Sequence, residues 1–444
     1  MPKDIAFRHP EIETLDRDAI LAIQRRKLEA LGARLSASPD WHAHFRQAGL
    51  KPADLADPQA FAQAPMLEKA DLHARYPYPF LTTPLDNVQR FVATSGTTGL
   101  PVLFGFSYRD VALTFREQMA RVLTAIGVRP GDKVYQSFGY GLWIGGFALE
   151  TGSAAVGATV FPLGPGRGEL AAQWIRDHGY TVFAGSPLWL RSLIDHARAK
   201  GDEPARDWRF HAAMTGGQSF SDGFRRDIES NMPPGFRLHD VYGTTEAGGP
   251  IVGIDCPYSH DKNLLHLLNE DSLLTEILDP VTFKPVGAGE TGEIVVTTLD
   301  KEASPVVRWR TRDLVRIPEH RYDCPCGRKG LPLIGRIIGR SDDMLKVRGV
   351  IVFPSQIEDI VAALPGAVPE AWQIYLDKAE RSMDALTVAF ERRQGFAATA
   401  DQLRDALTRA FQARLGIHVI VECHEQGALP RYEAKATRVI VRGK

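Results

Sequence analysis

A run of hydroxyls and glycines, Thr94-Ser95-Gly96-Thr97-Thr98-Gly99, follows the apolar stretch Phe91-Val92-Ala93. Glycines let the backbone bend so that successive N–H groups converge, and the hydroxyls add donors without bulk, a combination able to cradle a polyphosphate. No Gly-Lys-Ser/Thr ends the run, so an ordinary P-loop is excluded. Taken by itself the run also reads as a solvated turn. Downstream, in order, stand Tyr242-Gly243-Thr244-Thr245-Glu246, Arg308-Trp309-Arg310-Thr311-Arg312-Asp313, Gly339-Arg340-Ser341-Asp342-Asp343 and Pro430-Arg431-Tyr432-Glu433-Ala434-Lys435. Taken singly, Glu246 reads as a solvated carboxylate, Asp313 as a helix cap or surface ion-pair partner, and Lys435 as an ordinary exposed lysine.

The cysteines pose a separate question. Cys324-Pro325-Cys326 is a tight paired turn, and Cys256 lies four residues before His260. Three thiolates and one imidazole suit tetrahedral Zn²⁺, with Cys256, His260, Cys324 and Cys326 as the expected set and His266 as the rival fourth ligand. Such a closed set would be structural. Reduced structural cysteines are the alternative, and Cys423, on a strand pattern, reads as core.

These groups need elements to position them. At 444 residues the chain suits two or three compact units. Hydrophobic residues at 44% and charged residues at 24% predict a folded protein rather than a disordered one. The 53 basic and 54 acidic residues nearly cancel, which argues against nucleic acid or an anionic membrane as partner. No apolar run reaches the ~18 residues that cross a bilayer, and the N-terminal stretch lacks the apolar core of a secretory signal, so a cytoplasmic location is expected.

Asp16–Leu35 is predicted as an amphipathic helix with Ile20, Ile23, Leu28, Leu31 and Leu35 on one face. Strand-like runs then alternate with helical ones, an α/β pattern. One apolar run meets Ser186-Pro187, where Ser186 can cap a helix; another ends at Gly216-Gly217, after which Ser221 or Asp222 can cap the next. Glu276–Thr298 reads as antiparallel β. The polar junction at Gly339–Asp342 divides a large α/β unit with a β-rich part (1–338) from a small α+β unit (339–444). Phe138-Gly139-Tyr140-Gly141-Leu142-Trp143 mixes aromatics with glycine after a strand, and reads equally as core or as pocket.

The ordered segments TSGTTG, FGYGLWIGG, YGTTEAGG, SPVVRWRTRDL and GRSDDMLKVRGVIVFPSQIE resemble the core motifs of the adenylate-forming superfamily of acyl-CoA synthetases, carrier-protein adenylation domains and luciferases. More narrowly they resemble the phenylacetate–coenzyme A ligases and aryl-acid relatives, from about Glu13 to Val439. The resemblance implies a large domain with a mobile C-terminal lid, and an ATP-dependent aryl acid–coenzyme A ligase with Mg²⁺ as cofactor. It implies phosphate contacts from Ser95, Gly96, Thr97, Thr98 and Gly99, and nucleotide contacts from Gly216, Gly217, Tyr242, Gly243, Thr244, Thr245 and Arg328. Glu246 would help hold Mg²⁺, and Asp313 would accept bonds from the ribose hydroxyls. Lys435 would reach the reacting carboxylate and α-phosphate from the lid, and Asp342 would be the hinge that later brings Lys346–Gly349 to the site.

The same resemblance favours a flat aromatic slot for the acid around Tyr140, with Phe138, Gly141 and Trp143. Ala213, Met214, Thr215, Ala247, Gly248 and Gly249 would line its other side. The family's loop has lysine where Leu100 stands here, which leaves the phosphates more dependent on backbone donors. The relatives point to a homodimer, and some carry a zinc site. Other readings are an aryl-adenylating enzyme that loads a carrier protein, a non-catalytic nucleotide or acyl-adenylate binder, and a zinc-dependent interaction module.

Overall fold

The structure, a computed structural model, describes residues 6–94, 101–217, 220–320, 322–347, 350–376, 382–383, 386–432 and 437–442. Among the described residues, no helix is long and apolar enough to cross a membrane.

The helix Arg17–Leu35 begins where Asp16 Oδ1 accepts from the Ala19 N–H at 2.8 Å. Its buried face is Ile20, Gln24, Leu28, Leu31 and Leu35, so Gln24 takes the place expected of Ile23. Four-residue steps keep Ile20, Gln24 and Leu28 in line, whereas Ile23 falls off that stripe. The buried amide is satisfied by Glu270, whose carbonyl and carboxylate oxygens accept from it at 2.6 and 2.9 Å.

An eight-stranded mixed sheet forms the centre of the large unit. Its order is Leu333–Gly335, Leu264–His266, Gly249–Ile254, Arg237–Thr244, Ala212–Thr215, Val182–Gly185, Lys133–Gln136 and Thr159–Phe161. The last five of these are parallel, and the first three are antiparallel additions at one edge. Side chains alternate across it: Val134, Ala184, Met214 and Tyr242 pack in one core, while Tyr135, Phe183, Ala213 and Leu238 pack in another on the opposite face. Helices Pro187–Ala199 and Asp222–Ser230 cover that second face. Ser221 caps the latter, its hydroxyl accepting from the Phe224 N–H at 3.1 Å, but Ser186 makes no side-chain cap bond.

A separate hairpin pairs Val88–Ala93 with Leu103–Ser107, with Ala93 opposite Leu103. The expected β-rich part is a four-stranded antiparallel sheet, Leu273–Leu278, Thr291–Thr298, Trp309–Arg316 and Ile337–Arg340. Because Gly339 and Arg340 pair with Leu314 and Asp313 in that sheet, they belong structurally to the large unit, and the change of unit falls just after them. At Gly339 φ is +155°, and a Cβ there would come within 2.7 Å of Phe353, so only glycine lets the small unit's first helix approach this closely.

The small unit has its own core around Trp372, Phe390, Leu407 and Phe411. A four-stranded sheet, Val419–His424, Leu386–Arg392, Ala367–Leu376 and Val439–Val441, carries helices Pro354–Ala362 and Ala400–Leu415. Removing one of these fully buried aromatics would cost about 3–5 kcal/mol. Tyr432, whose hydroxyl accepts from Gln373 Nε2 of this unit at 3.0 Å, also packs on the large unit's second core.

Candidate active site

Ser95, Gly96, Thr97, Thr98, Gly99 and Lys435 lie outside the described residues. Their flanks are defined. Thr94 N–H donates to Val102 O at 3.1 Å, and the Val102 N–H donates back to Thr94 Oγ1 at 3.2 Å. Both ends of the Ser95–Leu100 segment therefore start from one closed hairpin. Ala93 N–H reaches across to the carbonyl of Leu142 at 2.8 Å, which ties the hairpin to the aromatic segment.

In that segment Phe138 meets Trp143 edge-on at 4.9 Å, and Tyr140 meets Phe147 edge-on at 5.0 Å. The Tyr140 hydroxyl donates to Glu150 at 2.9 Å. Burial, reinforced by the Glu150 carboxylate, pushes its pKa up to about 12. Among the described residues, nothing lies within 4 Å of a Cβ position at Gly141. Gly249 packs against Ile144, and Gly248, with φ +114°, faces Thr114. The structure thus brings the Phe138–Ile144 segment, Thr94 and Gly248 into one region. Ala213 is elsewhere. It points into the second core with Tyr135 and Phe183, on the opposite face of the sheet from Phe138, because strand neighbours alternate; Met214 is the residue that shares Phe138's face.

Gln136, which ends the strand Lys133–Gln136, stands in no recognised motif. It is fully buried on the Val134 face, its Nε2 is 3.1 Å from the Cβ position of Gly146, and among the described residues neither amide atom has a hydrogen-bond partner.

At the ends of the central strands, Gly216 lies against Val241, and Gly217 adopts φ +87° with no neighbour within 4 Å of its Cβ position among the described residues. The buried Tyr242 hydroxyl donates to Asp313 Oδ2 at 2.7 Å. Burial and the Asp313 charge together raise the phenol well above its ordinary value, so it stays a donor. Arg340, unassigned in the sequence although it stands inside a recognised segment, joins two expected sites. Its Nη1 donates to Asp313 Oδ1 at 3.1 Å, while Nε and Nη2 grip Asp342 at 2.8 and 3.0 Å. Burial works against the Asp342 carboxylate, but Arg340 outweighs it and holds that pKa below the usual range.

Gly243, Thr244 and Thr245 lead from Tyr242 into a turn in which the Ala247 N–H donates to Thr244 Oγ1 at 3.2 Å. Glu246 is half-buried, and burial raises its carboxyl above the ordinary 4.5. A desolvated carboxylate of this kind gains from a bound cation, so the residue fits a role as a hard-metal ligand. Lys301 Nζ donates to the Glu246 carbonyl at 3.2 Å. Burial lowers this lysine to about 8, opposed by the charges of Asp110 and Glu246.

Two further placements depart from the sequence reading. Arg328 is turned toward the N-terminal segment: its Nε donates to Glu13 at 2.9 Å, Nη2 donates to Ala6 O at 3.0 Å, and its guanidinium lies over Phe7. This buried Arg–Glu pair anchors the N-terminus rather than a nucleotide. His260 does not join the cysteines. Its ring nitrogens bond Asp255 at 3.0 Å and Glu229 at 2.8 Å. Burial disfavours the imidazolium, but the two carboxylates outweigh it and raise the pKa to about 9.

His266 takes the fourth place. The sulfur and nitrogen atoms of Cys256, His266, Cys324 and Cys326 lie within 4.8 Å of one another. Cys256 Sγ is 3.5 Å from Cys324 Sγ and 3.6 Å from His266 Nε2, and Cys326 Sγ is 3.4 Å from that nitrogen. Tetrahedral zinc requires S···S and S···N separations of about 3.5–3.8 Å, so the donor set fits. The antiparallel pairing of Ile254 with His266 carries the histidine to Cys256.

A family model for AMP-binding enzymes matches residues 47–299, and one for the AMP-binding enzyme C-terminal domain matches residues 349–442. The phenylacetate-coenzyme A ligase of Pseudomonas putida is 35% identical over 386 residues, covering 86% of this chain and 84% of the relative. That of Escherichia coli K12 is 32% identical over 433 residues, 96% of each chain. Among solved structures, 2-hydroxyisobutyryl-CoA ligase in the postadenylation state with 2-HIB-AMP aligns with a TM-score of 0.89 at 25% identity, covering 99% of this chain and 93% of that one. The same ligase in its thioesterification state, with 2-HIB-AMP and CoA, gives 0.68 at 26% identity, covering 96% and 89%. By sequence, domain content and fold, the chain belongs to the AMP-binding enzyme family and is an adenylate-forming, phenylacetate–coenzyme A ligase-like enzyme.

Proposed function

We propose that the protein is an ATP-dependent aryl acid–coenzyme A ligase working through an acyl-adenylate. The observation that carries this reading is the chain of contacts Tyr242–Asp313–Arg340–Asp342, which spans the nucleotide side of the large unit and its junction with the small one.

In the first half-reaction the substrate carboxylate attacks the α-phosphate of ATP, a P–O bond forms, and pyrophosphate leaves. Asp313 accepts from the ribose, and Gly216–Gly217 leave room for the adenine beside Tyr242. Ser95–Gly99 hold the phosphates, and Lys435 offsets the repulsion between the two anions. Glu246 would hold Mg²⁺, which when bound supplies charge neutralisation at the phosphates. In the second half-reaction the coenzyme A thiol attacks the acyl carbon, the thioester forms, and AMP leaves. Asp342 serves as the hinge that withdraws Lys435 for this step.

The aromatic environment of Tyr140, Phe138 and Trp143 supports an aryl acid. Cys256, His266, Cys324 and Cys326 support a structural Zn²⁺, with no substrate position left open. A homodimer, carried over from the resemblance, and a cytoplasmic location, the sequence expectation, complete the reading.

Pyrophosphate release, screened across aryl and short-chain acids with free coenzyme A or a carrier protein as acceptor, tests this. Release with aryl acids and thioester formation on free coenzyme A is the expected result. Release only with short-chain acids, or transfer only to the carrier protein, would overturn it.

A further inference from the structure

Lys301 is a lysine with 4% of its surface exposed, on the loop that follows the strand Thr291–Thr298. Its ammonium donates to the carbonyl of Glu246 and lies over the rings of Phe104 and Phe106, at 5.0 and 4.3 Å. Those two rings stand on one face of Leu103–Ser107, the strand that leaves the phosphate segment. The lysine's own loop is bound to the end of the same strand. Asp110 accepts from the N–H groups of Glu302, Ala303 and Ser107 at 2.6, 2.9 and 2.9 Å, and Ser304 Oγ accepts from Gly105 N–H at 2.9 Å. A buried ammonium is costly unless its contacts repay the lost hydration, and a cation against two aromatic faces and a carbonyl does so at one fixed position.

We infer that Lys301 is a positioning residue: it clamps the Glu246 peptide to the strand that carries the phosphate loop, and so sets the spacing between the carboxylate and the phosphates it must share a cation with. The inference rests on the reading of Glu246 as the Mg²⁺-holding residue. Lys301 itself touches neither substrate nor metal in this role. Its effect belongs to the metal-dependent half of the reaction, since thiol attack on a preformed adenylate needs no phosphate-bound cation.

Calorimetric titration of the full-length protein with a non-hydrolysable ATP analogue, with and without Mg²⁺, provides a readout apart from turnover. For Lys301→Met, a volume-conserving change, the Mg²⁺-supported affinity should fall about tenfold while the metal-free affinity stays within about twofold. Thioester formation from a supplied aryl-adenylate should also stay within about twofold, and Lys301→Arg should recover most of the loss. Phe106→Leu, which thins one aromatic wall, should give the same split at smaller size if Lys301→Met does not fold. Equal loss with and without metal, or no loss at all, would overturn the inference. If Glu246→Gln leaves the metal-supported affinity intact, the role of Glu246 fails and that of Lys301 with it. If Glu246→Gln abolishes it and Lys301→Met does not, Lys301 alone fails.

Discussion

Tyr140 gives the sharpest expectation among single residues. Its ring lies edge-on to Phe147 and its hydroxyl is committed to Glu150, so it presents a fixed aromatic wall. Tyr140→Ala should raise the Michaelis constant for the aryl acid about tenfold or more and leave that for ATP within about twofold. Steady-state kinetics with each substrate varied in turn would show this, and parallel changes in both constants would remove Tyr140 from the slot. The resemblance carried by local motifs was enough to offer Tyr140, Glu246 and Asp313 as candidates. It was not enough for Arg328, whose guanidinium is buried against Glu13, or for Ala213, whose strand position turns it to the far core. Identity travels with a motif, but the direction of a side chain depends on which face of the sheet its Cβ occupies.

At the scale of elements, the segment leading to Lys435 is fastened by Glu391. This carboxylate, fully buried on the strand Leu386–Arg392, accepts from the N–H groups of Gly427 and Leu429 at 2.8 and 2.6 Å and from Arg431 at 2.6 and 3.0 Å. Burial opposes its ionisation, but these donors outweigh burial and hold the pKa below 4.5. A depressed folded pKa stabilises the protein above the unfolded value and loses that contribution as pH falls through the folded one. Glu391→Gln should cost about 1–3 kcal/mol in urea unfolding at pH 7, and the difference from wild type should shrink as pH drops below about 4. ATP–pyrophosphate exchange should fall more than thioester formation, because the anchored segment leads to Lys435, the lysine proposed for the first half-reaction.

The cysteine cluster belongs to the same scale, since it joins the antiparallel edge of the large sheet to the loop that carries Cys324 and Cys326. Metal analysis should find one zinc per chain in wild type and in His260→Ala, and little in His266→Ala. Chelation should lower the apparent melting temperature of the wild type by about 5 °C or more. His260→Ala should be destabilised for another reason, loss of an imidazolium between Asp255 and Glu229, a buried pairing whose rupture costs about 3–5 kcal/mol. Zinc lost from the His260 variant and retained in the His266 variant would reverse the assignment.

For the whole molecule, the TM-scores of 0.89 and 0.68 place the arrangement of the two units nearer the relative's postadenylation state than its thioesterification state. Tyr432, packed on the large unit's second core, is one contact of that arrangement. A reaction whose halves use different arrangements should be separable by mutation. Lys435→Ala should abolish pyrophosphate exchange yet largely spare thioester formation from a supplied adenylate, and an equal loss in both would contradict the swing of the small unit about Asp342.

By itself the sequence determined the family and the α/β and α+β fold class, and offered Tyr242, Glu246 and Asp313 as candidates, because these rest on ordered local motifs and on periodicities a strand or helix imposes. Three matters were left to the tertiary structure. His266 rather than His260 faces the cysteines, because antiparallel pairing with Ile254 outweighs nearness in sequence. Arg340 links Asp313 to Asp342, and Lys301 meets Glu246, across separations of 27 and 55 residues. Such contacts form between strand ends and loops that meet only once the chain has folded, and no local pattern of residues encodes which charged side chains will then share one buried space.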